Sequence, residues 1–251
     1  MARKAPLKLL TKEADDRHLS EKHVTLRNDL VAASHGLKTL AEQRVVKSCA
    51  AKLDSVRLDQ GRYKVTLSAA EYAETFGLDS DTAYDQLKTV SKTLMDRVIR
   101  REEETRRGLK VYVDHWVTGI TYHEGEAWVE LRFSHEATPY LVALRGNHTT
   151  YLLKQAAGLR SIYSWRLLEM LMQFKDTGWR QMDVPDFIKA MDAKESHAKD
   201  FGQLRRWVID PAVRELTEKD GWLIDWHPIK AGRKVTALRF TFERDPQGRL
   251  L

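Results

Sequence analysis

Apolar residues at Leu40, Val45, Cys49 and Leu53 recur near a helical period and predict a helix over residues 37–53 that buries one face. Ahead of it, HVTLRNDL (23–30) reads as a short extended segment. Beyond it the period changes. RYKVTLS (62–68) alternates as a strand does, AAEYAETFGL reads as a short helix closed at Gly77, and SDTAYDQLKTVSKTLMDRV (80–98) reads as a longer one. Ser80 is the expected N-cap, its hydroxyl accepting from the free amides of the first turn. Three β-rich segments follow, VIRRE, GLKVYVDHWVTGITYH and AWVELRFS, separated by the polar runs EETRRG and EGE. Helix, helix, then basic hairpin is the order of a winged helix-turn-helix.

The same grammar returns after LRGNHTT (144–150). IYSWRLLEMLMQF, with apolar positions 162, 165, 168, 171, 172 and 174, predicts a helix with a broad buried face. GWRQM is a short strand and VPDFIKAM a short helix with Pro185 near its start. A long helix over about 199–219 precedes two strands, GWLIDWHPI and KVTALRFTF, flanking a turn at AGR. The expected architecture is α+β: a basic arm over 1–23 and two tandem winged helices, 24–145 and 146–251, sharing the order of elements rather than sequence identity.

Charge adds direction only through its placement. Forty-two Lys and Arg against 36 Asp and Glu give a net +6 over 251 residues, too small an excess to name a partner. Arg3, Lys4, Lys8 and Lys12 lie in an acid-free stretch that either touches phosphates or is a solvated tail. No segment approaches the roughly 18 apolar residues of a membrane span, so a cytoplasmic protein is expected. Enzyme chemistry finds little support. GLKTL (36–40) lacks the rest of a phosphate loop, and the nine histidines form neither H-E-x-x-H nor a His-apolar-His pair. The single cysteine, Cys49, reads as a buried inert thiol; His115 and His123 read as strand-surface residues. No cofactor or metal is expected.

The 199–219 helix carries the sharpest signal. At 100° per residue Phe201, Leu204, Val208, Ala212 and Leu216 share one face, with Lys199, Gln203, Arg206, Asp210 and Arg214 opposite. Gln pairs with adenine and Arg with guanine at major-groove edges. Arg206 is the expected base reader, with Arg205, about 100° away, as the alternative. The following turn supplies Lys230, Arg233 and Lys234 without an acid, as a wing on phosphates would. Pro211 removes a hydrogen bond inside the helix and predicts a kink or break. In the first half Thr82, Asp85, Thr89 and Lys92 lie opposite Ala83, Leu87, Val90 and Leu94, but Asp81 and Asp85 repel phosphate. Residues 97–110 hold six cations, Arg106 and Arg107 among them, against three glutamates. This half therefore either grips DNA backbone or serves self-association.

In this order, RNDL, EYAETFGL with the helix after it, PYL (139–141), YSWRLLEML (163–171) and LRRWVIDPAVREL followed by GRKVTALRFTF resemble the iteron-binding initiators of theta-replicating plasmids, the family that includes the F plasmid initiator. The resemblance spans about residues 24–243. It implies a monomer that binds direct repeats at an origin, helps open an AT-rich region, and recruits the host initiator and replicative helicase. It also implies a homodimer, in exchange with monomer, that binds an inverted repeat and represses its own promoter. The helices at 199–217 and 80–96 become the recognition helices, with the acidic start of the first as a departure. A winged-helix repressor without initiator activity, and a rolling-circle nicking enzyme, stand as alternatives.

Overall fold

The computed structural model describes residues 17–53, 63–142 and 147–245. Strand β1 (His23–Arg27) leads directly into helix α1 (Asn28–Ala32). Asn28–Leu30 thus leaves the expected extended segment: Arg27 is the last extended residue, and Asp29 places its negative charge in the first helical turn. Helix α2 (Leu40–Lys52) begins at Leu40 rather than Leu37, because Thr39 forms a capping box, its hydroxyl accepting from Glu42 N–H at 3.1 Å while Glu42 accepts from Thr39 N–H at 3.2 Å.

Strand β2 (Lys64–Ser68) alternates exposed and buried positions, putting Val65 and Leu67 inside. Ser68 and Glu71 repeat the capping box at helix α3 (Ala69–Phe76), and Gly77 closes it at φ +60°. Helix α4 (Ser80–Thr93) is capped by Asp79 and not by Ser80: the Asp79 carboxylate accepts from Thr82 N–H at 2.8 Å, where its charge also suits the helix dipole.

The β-rich stretch divides differently from the sequence expectation. Strands β3 (Val98–Thr105) and β4 (Gly108–His115) form a separate two-stranded ribbon, whereas β5 (Val117–His123) and β6 (Trp128–Phe133) join β2 in a sheet ordered β2-β6-β5. GLKVYVDHWVTGITYH is therefore two strands broken at buried Trp116. The basic hairpin is an insertion between α4 and the true wing β5–β6. Helix α5 (Thr138–Leu141) follows.

Strand β7 (His148–Leu152) begins inside the segment that the sequence pattern reads as a loop before the second half, and it pairs antiparallel with β1, His23 opposite Leu152. After α6 (Lys154–Ala157) and α7 (Ile162–Met172) come β8 (Trp179–Asp183), α8 (Val184–Ala190) and the one-turn helix α9 (Glu195–Ala198). The helical run α10 spans residues 201–220; β9 (Trp222–Ala231) and β10 (Lys234–Arg244) complete a sheet ordered β8-β10-β9. Strand for strand this repeats β2-β6-β5, so the molecule is two tandem winged helices of α+β class, with α2 and α7 as equivalent first helices.

These two helices meet through buried charge. Lys47 of α2 pairs with Glu169 of α7 at 2.8 Å, both side chains fully buried. Arg166 pairs with Glu169 at 2.7 Å and donates to the carbonyls of Val31, Ala33 and Ala190 at 2.8, 2.9 and 2.6 Å. Tyr151 donates to Glu169 at 2.9 Å. Burial pushes Glu169 up, but Lys47 and Arg166 outweigh it and hold the carboxyl below its usual range. Burial also brings Lys47 down to about 8 and, with Arg166 and Lys47 beside it, holds His35 well below its ordinary value. On the other side of the join, the Asp192 carboxylate accepts from Ser34 Oγ, from His35 N–H at 2.6 Å and from Gly36 N–H at 3.1 Å. Gly36 has φ +61°, and a Cβ there would meet the Val98 carbonyl oxygen at 2.4 Å, so only glycine fits.

Candidate nucleic-acid interface

Helix α10 stays continuous through Pro211. Asp200 caps it, accepting from Gln203 N–H at 2.9 Å, and residues Arg205–Ile209 widen into a π turn in which Asp210 N–H reaches Arg205 C=O. The wide turn ends at Ile209, two residues before the proline, and takes up its missing donor, so the expected break does not occur and the irregularity is a π turn within a continuous helical run. Leu204, Val208, Ala212 and Leu216 are buried as the periodicity requires, with Phe201 partly buried. Arg206 and Arg214 are exposed, whereas Gln203 and Asp210 are half-buried. Lys199 lies outside the helix, as the residue closing α9 just ahead of the Asp200 cap.

The residues flanking Arg206 face different neighbours. Arg205 is drawn toward the wing, pairing with Asp210 at 3.0 Å and lying over the Trp226 ring at 5.7 Å. Trp207, 47% exposed, is stacked on His197 with ring centroids 5.6 Å apart, and its indole N–H donates to Gln203 Oε1 at 2.8 Å. The Arg206 guanidinium sits over the same indole at 5.1 Å. The sequence carried a signal for this cluster, a tryptophan four residues after Gln203 on a polar helix face.

Lys230, Arg233 and Lys234 are exposed around the β9–β10 turn, where Gly232 takes φ +62°. None of the three forms an ion pair with a carboxylate among the described residues. A cleft of about 530 Å³, lined by Asp200, Phe201, Arg205, Lys230, Arg233 and Lys234, joins this turn to the start of α10. Helix and wing thus make one cationic surface.

The first winged helix is built to the same plan with different charge. Thr89 and Lys92 are exposed on α4, but the Thr82 hydroxyl is occupied, donating to Asp79 at 2.7 Å. The β5–β6 wing carries Glu124 and Glu126 at its turn, and Glu124 accepts from Lys88 at 2.6 Å and Tyr84 at 3.0 Å, both on α4. The cations lie instead on the inserted ribbon: Arg106 and Arg107 form its two-residue turn, and Lys110 follows on β4.

A family model described as "Initiator Replication protein, WH1" matches residues 23–172, and one described as "Initiator Rep protein, WH2" matches 183–242. A "Replication initiation protein" of Escherichia coli is 26% identical over 237 residues, covering 91% of this chain and 72% of that protein. The "PI protein" of Escherichia coli is 25% identical over 241 residues, covering 82% of this chain and 78% of its own length. A solved structure of the Pi initiator protein in complex with iteron DNA has the same fold, with a TM-score of 0.75 at 23% identity over 90% of this chain and 99% of that one.

Proposed function

The chain belongs to the Initiator Replication protein family, and from that premise we propose that it is a plasmid replication initiator whose monomer binds direct repeats in its origin through both winged helices. The observation that carries the reading is the single cationic surface formed by α10 and the β9–β10 wing. In this reading Arg206 and Gln203 face base edges, with Arg205 as the alternative reader, and Lys230, Arg233 and Lys234 hold phosphates. Lys199 and Arg214 extend the contact along the backbone. In the first domain Thr82, Thr89 and Lys92 approach the groove while Arg106 and Arg107 grip phosphate. The domains are then 24–145 for dimerisation and backbone contacts and 146–251 for reading, behind a basic arm whose residues 1–16 lie outside those described. Binding leads to origin opening and to recruitment of the host initiator and helicase, in the cytoplasm and without catalysis by this chain.

We further assign repression of the chain's own promoter to a homodimer on an inverted repeat. The ribbon supports this, since Leu109, Val111 and Val113 stand 54, 40 and 54% exposed along β4. A full-length Val111→Lys variant is expected to sediment as a monomer and still bind direct repeats; an unchanged dimer would move the interface elsewhere. The function itself is tested by footprinting on the DNA flanking the gene and by autonomous replication of an origin clone. Protection of about two helical turns per repeat is expected. Specific binding without replication would leave a repressor, and nicking of supercoiled origin DNA with a divalent metal would indicate the rolling-circle alternative.

A further inference from the structure

The reading face of α10 ends in an aromatic cluster that base and phosphate contacts leave unassigned. Trp207 is held on three sides: His197 stacks against one face, Gln203 accepts from the indole nitrogen, and Arg206 lies over the ring. His197 is itself fixed, its Nδ1 lying 3.2 Å from the Tyr163 hydroxyl, which also accepts from Lys194 N–H at 3.2 Å. An indole braced in this way has little rotamer freedom left to lose on binding. Almost half its surface nevertheless faces solvent, beside the exposed Arg206.

We propose that Trp207 is a specificity-determining residue for double-stranded DNA, presenting its exposed edge to the C5-methyl group of a thymine and holding Arg206 in register with the neighbouring base pair. Apolar contact with that methyl is how a side chain without hydrogen-bonding capacity to spare distinguishes thymine in the major groove. The indole N–H is already spent on Gln203, so the ring offers only apolar surface outward. The same bond engages Gln203 Oε1 and leaves its amide NH₂ for a base acceptor. The inference rests on α10 being the reading helix.

The test measures affinity for duplexes carrying one origin repeat in which each thymine is replaced singly by deoxyuridine, which lacks only the methyl group. For the unmodified protein, one position beneath α10 should lose about fourfold in affinity, the value of one buried methyl-sized group. That loss should vanish in Trp207→Ala and persist in Trp207→Phe, which keeps a ring. Trp207→Ala should also relax base preference at the position read by Arg206. Uniform tolerance of deoxyuridine by the unmodified protein, or an undiminished loss in Trp207→Ala, overturns the assignment while leaving the initiator reading intact. Failure of the unmodified protein to prefer the repeat over unrelated DNA would overturn that reading as well.

Discussion

The two winged helices share a sheet order and a helix order but invert the charge of their wings. In the second, Lys230, Arg233 and Lys234 crown β9–β10 and Arg206 is exposed on α10. In the first, Glu124 and Glu126 occupy the equivalent turn, and Glu124 ties up Lys88 and Tyr84 on the helix that would enter a groove. A single fold thus serves one domain that presents unpaired wing cations beside α10 and another whose cations lie on an inserted ribbon. Repeated topology is no guide to repeated chemistry here; the residues at the turn decide.

The comparison presumes that the halves are coupled, and the buried charge between α2 and α7 is where that is broken. Glu169→Leu leaves Lys47 and Arg166 without their partner and is expected to cost about 3–5 kcal/mol in urea denaturation. Replacing Lys47 with Met in the same chain should restore part of it. Next in size is the contrast between α10 and α4. Arg206→Ala is expected to lose about 1–3 kcal/mol of discrimination at one base pair, whereas Thr89→Ala should leave the base preference unchanged, both scored on single-base repeat variants. A uniform loss for Arg206→Ala would remove it from the reading face and promote Arg205.

Acid probes the junction more gently. His35 stays neutral in the folded chain because burial and then Arg166 and Lys47 depress its affinity for protons, while the unfolded chain takes one up near pH 6.5. The unfolded state therefore binds more protons below that pH, and stability should fall with acidification, by at most about 1.4 kcal/mol per pH unit from this group. Glu169, depressed in the folded state, adds to the same fall only once pH drops through the ordinary carboxylate range. His35→Gln should flatten the first part of a thermal-melt titration and leave the second. The smallest effect separates the wings: Lys234→Ala should weaken binding to all sequences and reduce the salt slope by about one unit, and Glu124→Ala should not reduce it.

Much of this was legible along the chain because it is local. Capping residues sit within a turn of the amides they satisfy, so α3 and its stop at Gly77 follow from the sequence, as does the packing face of α10. Even here the choice between adjacent caps, Asp79 and Ser80, depended on which one remained extended. What the pattern hid is pairing across distance. Nothing local distinguishes β3–β4 from a wing, since the difference is which strand β6 meets, and β1 finds β7 across more than a hundred residues. The π turn was hidden for another reason: Pro211 announces a lost hydrogen bond but not how the backbone redistributes the others. The polar face that carries Gln203 and Arg206 is visible in the sequence, although Lys199 falls outside the helix; that Gln203 is engaged by Trp207 and Thr82 by Asp79 is a matter of rotamers.

The charged junction also bears on heredity. Recombination between related plasmids can exchange one DNA reader for another only if the crossover leaves each hybrid with compatible buried partners. A crossover within 143–147 would separate Lys47 and His35 from Arg166 and Glu169, so most hybrids would inherit buried charge without its complement. One within 173–178, between α7 and β8, keeps that set on one parent and asks the incoming segment to supply Asp192 and the Ala190 carbonyl, an arginine at 180 for the Met170 carbonyl and a glutamate at 215 for Arg160 N–H. Viable chimaeras should therefore carry their seams after Met172, exchanging β8 to β10 as one cassette.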